Sequence, residues 1–141
     1  MIQNEREYKI TKAQADKFSE ALIAFEKTPP ESHPKMRKAY KDAMQSQLGE
    51  LQEQLSEYET LKQGKSTTLL IESFDELPKV LIQARIAAGL SQRELGEQLG
   101  LKEQQIQRYE ATLYKSASLT RLLEIAHALG IRLDGRVVLE R

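Results

Sequence analysis

LSQRELGEQLGLKEQQIQRYE, from Leu90 to Glu110, is the stretch on which the reading of the whole chain turns. Ser91 stands at an N-cap position and Glu94 follows three residues later. That is the spacing of a capping box, in which side chain and backbone satisfy each other's free donors. Leu95 and Leu99 then recur one helical turn apart, and Gly100 supplies the left-handed residue that stops a helix. A second helix is predicted from about Lys102, with Ile106 and Tyr109 on its inner side and Gln104, Gln105 and Arg108 facing outward. A helix this short and polar is marginal in water alone. It needs neighbours to hold it, and it offers amide and guanidinium groups to something outside.

The flanks of this stretch extend the pattern. Arg85, Gly89-Leu90-Ser91-Gln92, Leu99-Gly100, Ile106, Glu110 and the closing run LTRLLEIAHALG, Leu119 to Gly130, stand in fixed order and spacing. Together they resemble the helix-turn-helix domain of the XRE family, the group that includes phage repressors of the lambda type. The resemblance spans roughly Leu77 to Ile131. It implies a small helical bundle whose recognition helix enters the major groove of double-stranded DNA. The base-contacting positions it implies are Glu103, Gln104, Gln105 and Arg108. Glutamine pairs bidentately with adenine, arginine pairs with guanine, and a carboxylate accepts from cytosine. Gln92, Lys102, Lys115 and Ser116 are the implied phosphate contacts, since helix starts and loops flank the groove. Arg85 and Glu110 occupy the positions of a structural ion pair between the first and third helices of the domain.

The chain also departs from the family pattern. Gly96 stands where alanine is usual, and Lys102 replaces the usual Ser or Thr cap, which weakens that terminus by ~1 kcal/mol. Thr112 and Ala117 stand where glycine and proline are common, and the loop before the last helix is one residue longer.

In 141 residues there is room for one domain with an attachment, or for two small ones. The 21 basic and 21 acidic residues cancel, so no bulk positive charge announces nucleic acid. Between Pro78 and Arg121, however, the seven cations Lys79, Arg85, Arg93, Lys102, Arg108, Lys115 and Arg121 outnumber Glu94, Glu97, Glu103 and Glu110 by three. So modest a surplus makes binding depend on a dimer and on shape more than on charge alone. Without cysteine there is no disulfide frame, thiolate metal site or cysteine nucleophile. The opening MIQNEREYK lacks the apolar run of a signal peptide, and no stretch approaches the ~20 apolar residues of a membrane span. A cytoplasmic protein is expected.

Before the helix-turn-helix-like stretch, Met1 to Ile10 reads as polar and extended or frayed. Thr11 then offers an N-cap for a helix to about Lys27, with Ala15, Phe18, Leu22 and Phe25 on one face. TPPESHP, Thr28 to Pro34, is a loop by its prolines. A long helix follows to Gln63, in which Met44, Leu48, Leu51, Leu55 and Tyr58 step by four and three, the seam of a coiled coil. At ~1.5 Å per residue the long helix reaches roughly 40 Å and the first about 25 Å, so part of the seam is left for a second chain. Its basic start (Lys35, Arg37, Lys38, Lys41) is a solvated face, a second phosphate contact, or one half of an antiparallel pairing with its acidic end.

After Gly64, the run 67–72 is β-branched and apolar and reads as a strand. Ser73 to Glu76 has capping-box spacing, and Pro78 falls in the first turns of the next helix. Beyond Gly130, the turn dipeptide Asp134-Gly135 precedes a second strand-like run, 136–140. The expected class is therefore mainly α. A helical hairpin or coiled coil over 1–64, for assembly or partner binding, precedes a lambda-repressor-like bundle over 65–141 with short flanking β-strands.

Catalysis finds little support. His33 lies in a proline loop, and His127 reads as a half-buried helix residue among leucines. Neither has carboxylates at metal-ligand spacing, and no glycine-rich phosphate loop precedes a lysine. No catalytic residue, cofactor or metal is expected. The sequence is read as a sequence-specific DNA-binding transcriptional regulator, a repressor acting as a homodimer. The alternatives are an antitoxin whose amino-terminal helices hold a toxin, and an adaptor that uses the fold without reading bases.

Overall fold

A computed structural model describes residues 1–28, 33–65 and 68–141. The chain divides into two units, Met1–Lys65 and Ser66–Arg141. All regular structure among the described residues is helical: α1 (Glu5–Lys27), α2 (Pro34–Lys62), a 3-10 turn (Phe74–Glu76), α3 (Leu77–Ala87), α4 (Gln92–Leu99), α5 (Glu103–Ala111) and α6 (Leu119–Ala128).

The first unit is an antiparallel hairpin of α1 and α2. Helix α1 begins a turn and a half before Thr11, so the amino terminus is not frayed. Asn4 is the cap, its Oδ1 accepting from the Glu7 backbone N–H at 2.8 Å. The Glu7 carboxylate reaches back to accept from the Gln3 N–H at 2.7 Å. The reciprocal pair satisfies donors that Thr11, an interior helical residue, has no need to satisfy.

Tyr8 stacks on Tyr58, with ring centroids 5.2 Å apart, and Phe25 lies 4.8 Å from Tyr40 toward the other end. This register sets Ala15 level with Leu51, Phe18 with Leu48 and Leu22 with Met44. Ala15, Met44 and Tyr58 are buried while Leu48, Leu51 and Leu55 are half-buried, so α1 covers the heptad seam in part. With 23 residues against 29, α1 is ~34 Å long and α2 ~43 Å, so α1 runs the length of the seam but leaves its three leucines partly exposed.

Polar contacts lock both ends. The Tyr58 hydroxyl donates to Glu5 at 2.9 Å, and Lys62 lies 3.2 Å from the same carboxylate. Arg37 donates to the Phe25 and Thr28 carbonyls, both at 2.9 Å, and its guanidinium covers the Phe25 ring at 4.4 Å. A cation on the last carbonyls of α1 satisfies acceptors that have no partner within the helix. Lys41 pairs with Glu26 at 3.0 Å. Two of the four cations at the start of α2 are thus engaged inside the hairpin. Of the predicted proline loop, residues 29–32 lie outside the described residues, and Pro34 is already the first residue of α2.

The second unit is built on Leu81, Ile82, Ile86, Leu95, Ile106 and Ile125, each 2 % exposed or less. Helix α4 packs on both α5 and α6. Ser91 caps α4, its Oγ accepting from the Glu94 N–H at 3.0 Å, and Gly100 closes it at φ +69°. Gly96 sits where α4 meets the turn into α5. A Cβ there would stand 2.7 Å from the Leu101 carbonyl oxygen. Here even the methyl group of the usual alanine requires the turn to move.

The two expected strands are not formed. Thr67 lies outside the described residues. Residues 68–72 and 136–140 belong to no sheet, and none of their backbone groups joins a ladder among the described residues. Leu70, Val137, Val138 and Leu139 stay largely exposed. β-branched composition favours an extended backbone, but a strand exists only when another strand satisfies its N–H and C=O groups. A two-stranded ribbon is marginal in water in any case. His127 is exposed rather than half-buried, because Ile125 takes the inward position on that turn of α6.

Two glycines give opposite expectations. Gly96→Val should lose ~1–3 kcal/mol by overpacking against a backbone that cannot yield cheaply. Gly49, mid-helix in α2 with nothing within 4 Å of a built Cβ, should gain ~0.5–1 kcal/mol as alanine. Chemical denaturation followed by circular dichroism measures both. Equal effects at the two sites would contradict the packing described at Gly96.

Candidate nucleic-acid interface

What fixes α5 is a buried polar cluster. Arg85 on α3 and Glu110 on α5 form a bidentate ion pair, Nε to Oε2 at 2.6 Å and Nη2 to Oε1 at 2.8 Å. Gln92, the first residue of α4, donates from Nε2 to the same Oε1 at 2.9 Å. The remaining Arg85 nitrogen, Nη1, donates to the Leu90 carbonyl at 2.8 Å. Glu110 is fully buried, and Arg85 and Gln92 nearly so. Three helices and the turn between two of them therefore converge on one carboxylate. Ile106, one turn earlier on the same side of α5, completes the inward face.

With that side locked, the opposite face of α5 is determined. Glu103, Gln104, Gln107 and Arg108 are exposed on consecutive turns. Among the described residues Gln104 and Arg108 engage no other side chain. Gln107 donates to Glu103 at 3.3 Å, which places an extra amide on this face and partly occupies the Glu103 carboxylate. Gln107 is not among the positions the family resemblance implies, although the helical repeat from Glu103 reaches it. Gln105 is half-buried at the margin, its amide 3.3 Å from the Tyr109 hydroxyl.

The expected phosphate contacts fall in two groups. Lys102 is exposed at the start of α5 with no side-chain cap, and Lys115 and Ser116 are exposed in the loop that follows α5. Gln92 differs, being buried with its amide committed to Glu110. What it brings to the front of α4 is a fixed helix start rather than a free side chain. The α4 and α5 N-termini carry backbone donors suited to phosphate oxygens.

The loop after α5 turns through two consecutive left-handed residues, Leu113 at φ +51° and Tyr114 at φ +57°. Nothing in the composition of Thr112–Ser118 signals this, since neither residue is glycine or asparagine. Burial holds it: Tyr114 is 3 % exposed and stacks on Tyr109 with centroids 5.7 Å apart. The loop that carries Lys115 and Ser116 is thereby tied to α5.

A family model described as a helix-turn-helix, HTH_3, matches residues 81–135. This segment is an XRE-type helix-turn-helix domain. The match runs from the core of α3 to just beyond α6. No curated protein and no solved structure matches the chain. The family is one of DNA-binding transcription regulation, and in its terms α4 and α5 are the helix-turn-helix pair. Among the described residues no helix is long and apolar enough to cross a membrane, and no group of three His, Asp or Glu side chains could hold a metal ion.

Two stability measurements probe the helix-turn-helix domain. Glu110→Ala leaves Arg85 buried without its partner and should cost ~3–5 kcal/mol. Arg93→Ala, which breaks the exposed Arg93–Glu97 pair, should cost less than about 0.5 kcal/mol. Similar losses in the two variants would contradict the buried cluster.

The Tyr114 hydroxyl is buried with no hydrogen-bond partner among the described residues. Burial, and then the Glu110 carboxylate nearby, push its ionisation well above the ordinary value of 10.0. A raised folded-state value means that the neutral phenol's contribution is complete below about pH 10 and is lost as the pH rises further. Tyr114→Phe removes the unpartnered hydroxyl. The variant should match or exceed the parent near neutral pH and lose less stability above pH 10. A steeper alkaline loss in the variant would contradict the burial of this ring.

Proposed function

We propose that the chain is a repressor-type regulator that binds a two-fold symmetric DNA site as a homodimer, with α5 of each copy in the major groove. One observation carries this reading. The face of α5 opposite the Glu110 cluster is rigidly presented, and on it Gln104 and Arg108 are exposed with no protein partner among the described residues. Arg108 suits guanine and Gln104 suits adenine; Glu103 and Gln105 would read or brace neighbouring positions. Lys102, Lys115, Ser116 and the capped start of α4 would grip phosphates on either side. Two such helices about 34 Å apart would meet one face of the duplex. The protein would act in the cytoplasm, where the DNA is accessible.

The separate hairpin supports a second reading, that of an antitoxin. Ile10, Ile23, Met36 and Tyr40 are exposed apolar or aromatic side chains on α1 and α2 that a protein partner such as a toxin could cover. DNA binding by the second unit would then regulate the pair's own operon.

The test is a titration of the preferred site and its single-base variants at two salt concentrations. Arg108→Ala should lose ~1–3 kcal/mol on the preferred site and relax discrimination at one base pair per half-site. Lys115→Ala should weaken all variants about equally and reduce the salt slope by roughly one. If the two substitutions act alike on every variant, Arg108 is only a phosphate contact. If neither changes binding, the face is not a DNA interface, and an adaptor that uses the fold without reading bases becomes the better account.

A further inference from the structure

The run from Arg136 to Glu140 has no regular structure, makes no backbone pairing among the described residues and is exposed, with Val137, Val138 and Leu139 at 84 %, 72 % and 70 %. A β-branched segment that leaves its backbone groups unpaired is a template for another strand. We propose that this segment pairs antiparallel with the same segment of a second copy of this chain, about a two-fold axis through Val138. The inference rests on the homodimer reading and names its interface.

The argument is one of self-complementarity. With Val138 opposite its own copy, Val137 faces Leu139 of the second copy, and Arg136 faces Glu140 of the second copy. Apolar meets apolar and cation meets anion at every position, twice over by symmetry. A slip of one residue toward the carboxy terminus sets Arg136 against Arg141 and Val137 against Glu140. A slip the other way sets Arg136 against Leu139. Parallel in-register pairing puts Arg136 on Arg136 and Glu140 on Glu140. Only the Val138-centred register matches both charge and polarity.

A lone two-stranded ribbon would still be marginal. The outer edge of each tail has a candidate neighbour in 68–72, likewise without regular structure and with Leu70 89 % exposed, although the Glu72 N–H donates to the Glu76 carboxylate at 2.6 Å. Run antiparallel to the tail, Glu72 stands opposite Arg136, Ile71 opposite Val137, Leu70 opposite Val138 and Leu69 opposite Leu139. The assembled sheet would have four strands, the two tails at its centre. A single copy cannot form that centre.

The chain has no cysteine, so single cysteines report the register directly. Opposed residues in an antiparallel pair lie ~5 Å apart at Cα, within disulfide reach, whereas residues displaced by two positions do not. After oxidation with diamide, Val138→Cys should give a covalent dimer of twice 16.1 kDa on non-reducing gels. Val137→Cys and Leu139→Cys should link poorly alone and well when mixed. By light scattering, Arg136→Glu and Glu140→Arg should each weaken dimerisation about tenfold, and the double variant should restore it. A wild-type dimer in which Val138→Cys links no better than its neighbours, and the charge reversals have no effect, would overturn this interface and leave the homodimer reading intact. Linking between copies only through a Leu70→Cys/Val138→Cys pair would also overturn the tail-to-tail pairing, in favour of exchanged outer strands. A monomer at micromolar concentration would overturn both the interface and the homodimer.

Discussion

Glu110 carries its carboxylate to the centre of the carboxy-terminal unit, and the geometry of that unit follows from the need to satisfy it there. A charged group taken out of water is costly unless its partner and its remaining lone pairs are well placed. Arg85 supplies two donors, Gln92 a third, and the Leu90 carbonyl accepts a further bond from Arg85. These groups come from α3, α4, α5 and the turn after α3, so no helix can rotate without breaking a buried bond. A hydrophobic core alone would tolerate such rotation more easily, because dispersion is not directional. The polar cluster therefore orients, while Ile82, Leu95, Ile106 and Ile125 supply the cohesion.

Orientation is what a recognition helix needs. α5 is nine residues long and polar, a segment that would not hold helical structure alone. Its inner side is committed to Glu110 and Ile106, so its outer side must be the one bearing Gln104, Gln107 and Arg108. The chain as a whole has no net charge, and non-specific attraction to phosphate is correspondingly small. Under the proposed base readout, discrimination would come from a few hydrogen bonds placed with little freedom, a condition the buried cluster would meet. The stacking of Tyr109 on Tyr114 extends the same rigidity into the loop that carries Lys115.

Features held by short-range chemistry could be read directly in the chain. Ser91 and Gly100 bound α4 as their cap chemistry dictates, and the four–three steps from Met44 to Tyr58 lie along α1, buried at both ends and half-buried between. The start of α1 was legible too, in the Asn4-x-x-Glu7 spacing, but Thr11 offered a competing cap nearer the apolar repeat. Features that depend on distant partners were not legible. Apolar β-branched runs at 68–72 and 136–140 carry no information about whether an edge is available to pair with them. The left-handed pair Leu113–Tyr114 has no local signal, since it is held by burial of a ring against another helix. The inward turn of Gln92, and the half-inward position of Gln105, likewise depend on which carboxylate or hydroxyl tertiary packing brings close.

The central claim is that the exposed face of α5 reads base edges from a framework locked by Glu110. Sequencing the DNA retained by the intact chain from a random duplex pool at physiological salt tests it most directly. The account predicts enrichment of one short motif containing a G·C pair for Arg108 and an A·T pair for Gln104. The motif should recur as an inverted repeat with half-site centres about one helical turn, or a multiple of it, apart. Retention of DNA without any enriched motif would contradict base readout by this face, however tightly the DNA was held.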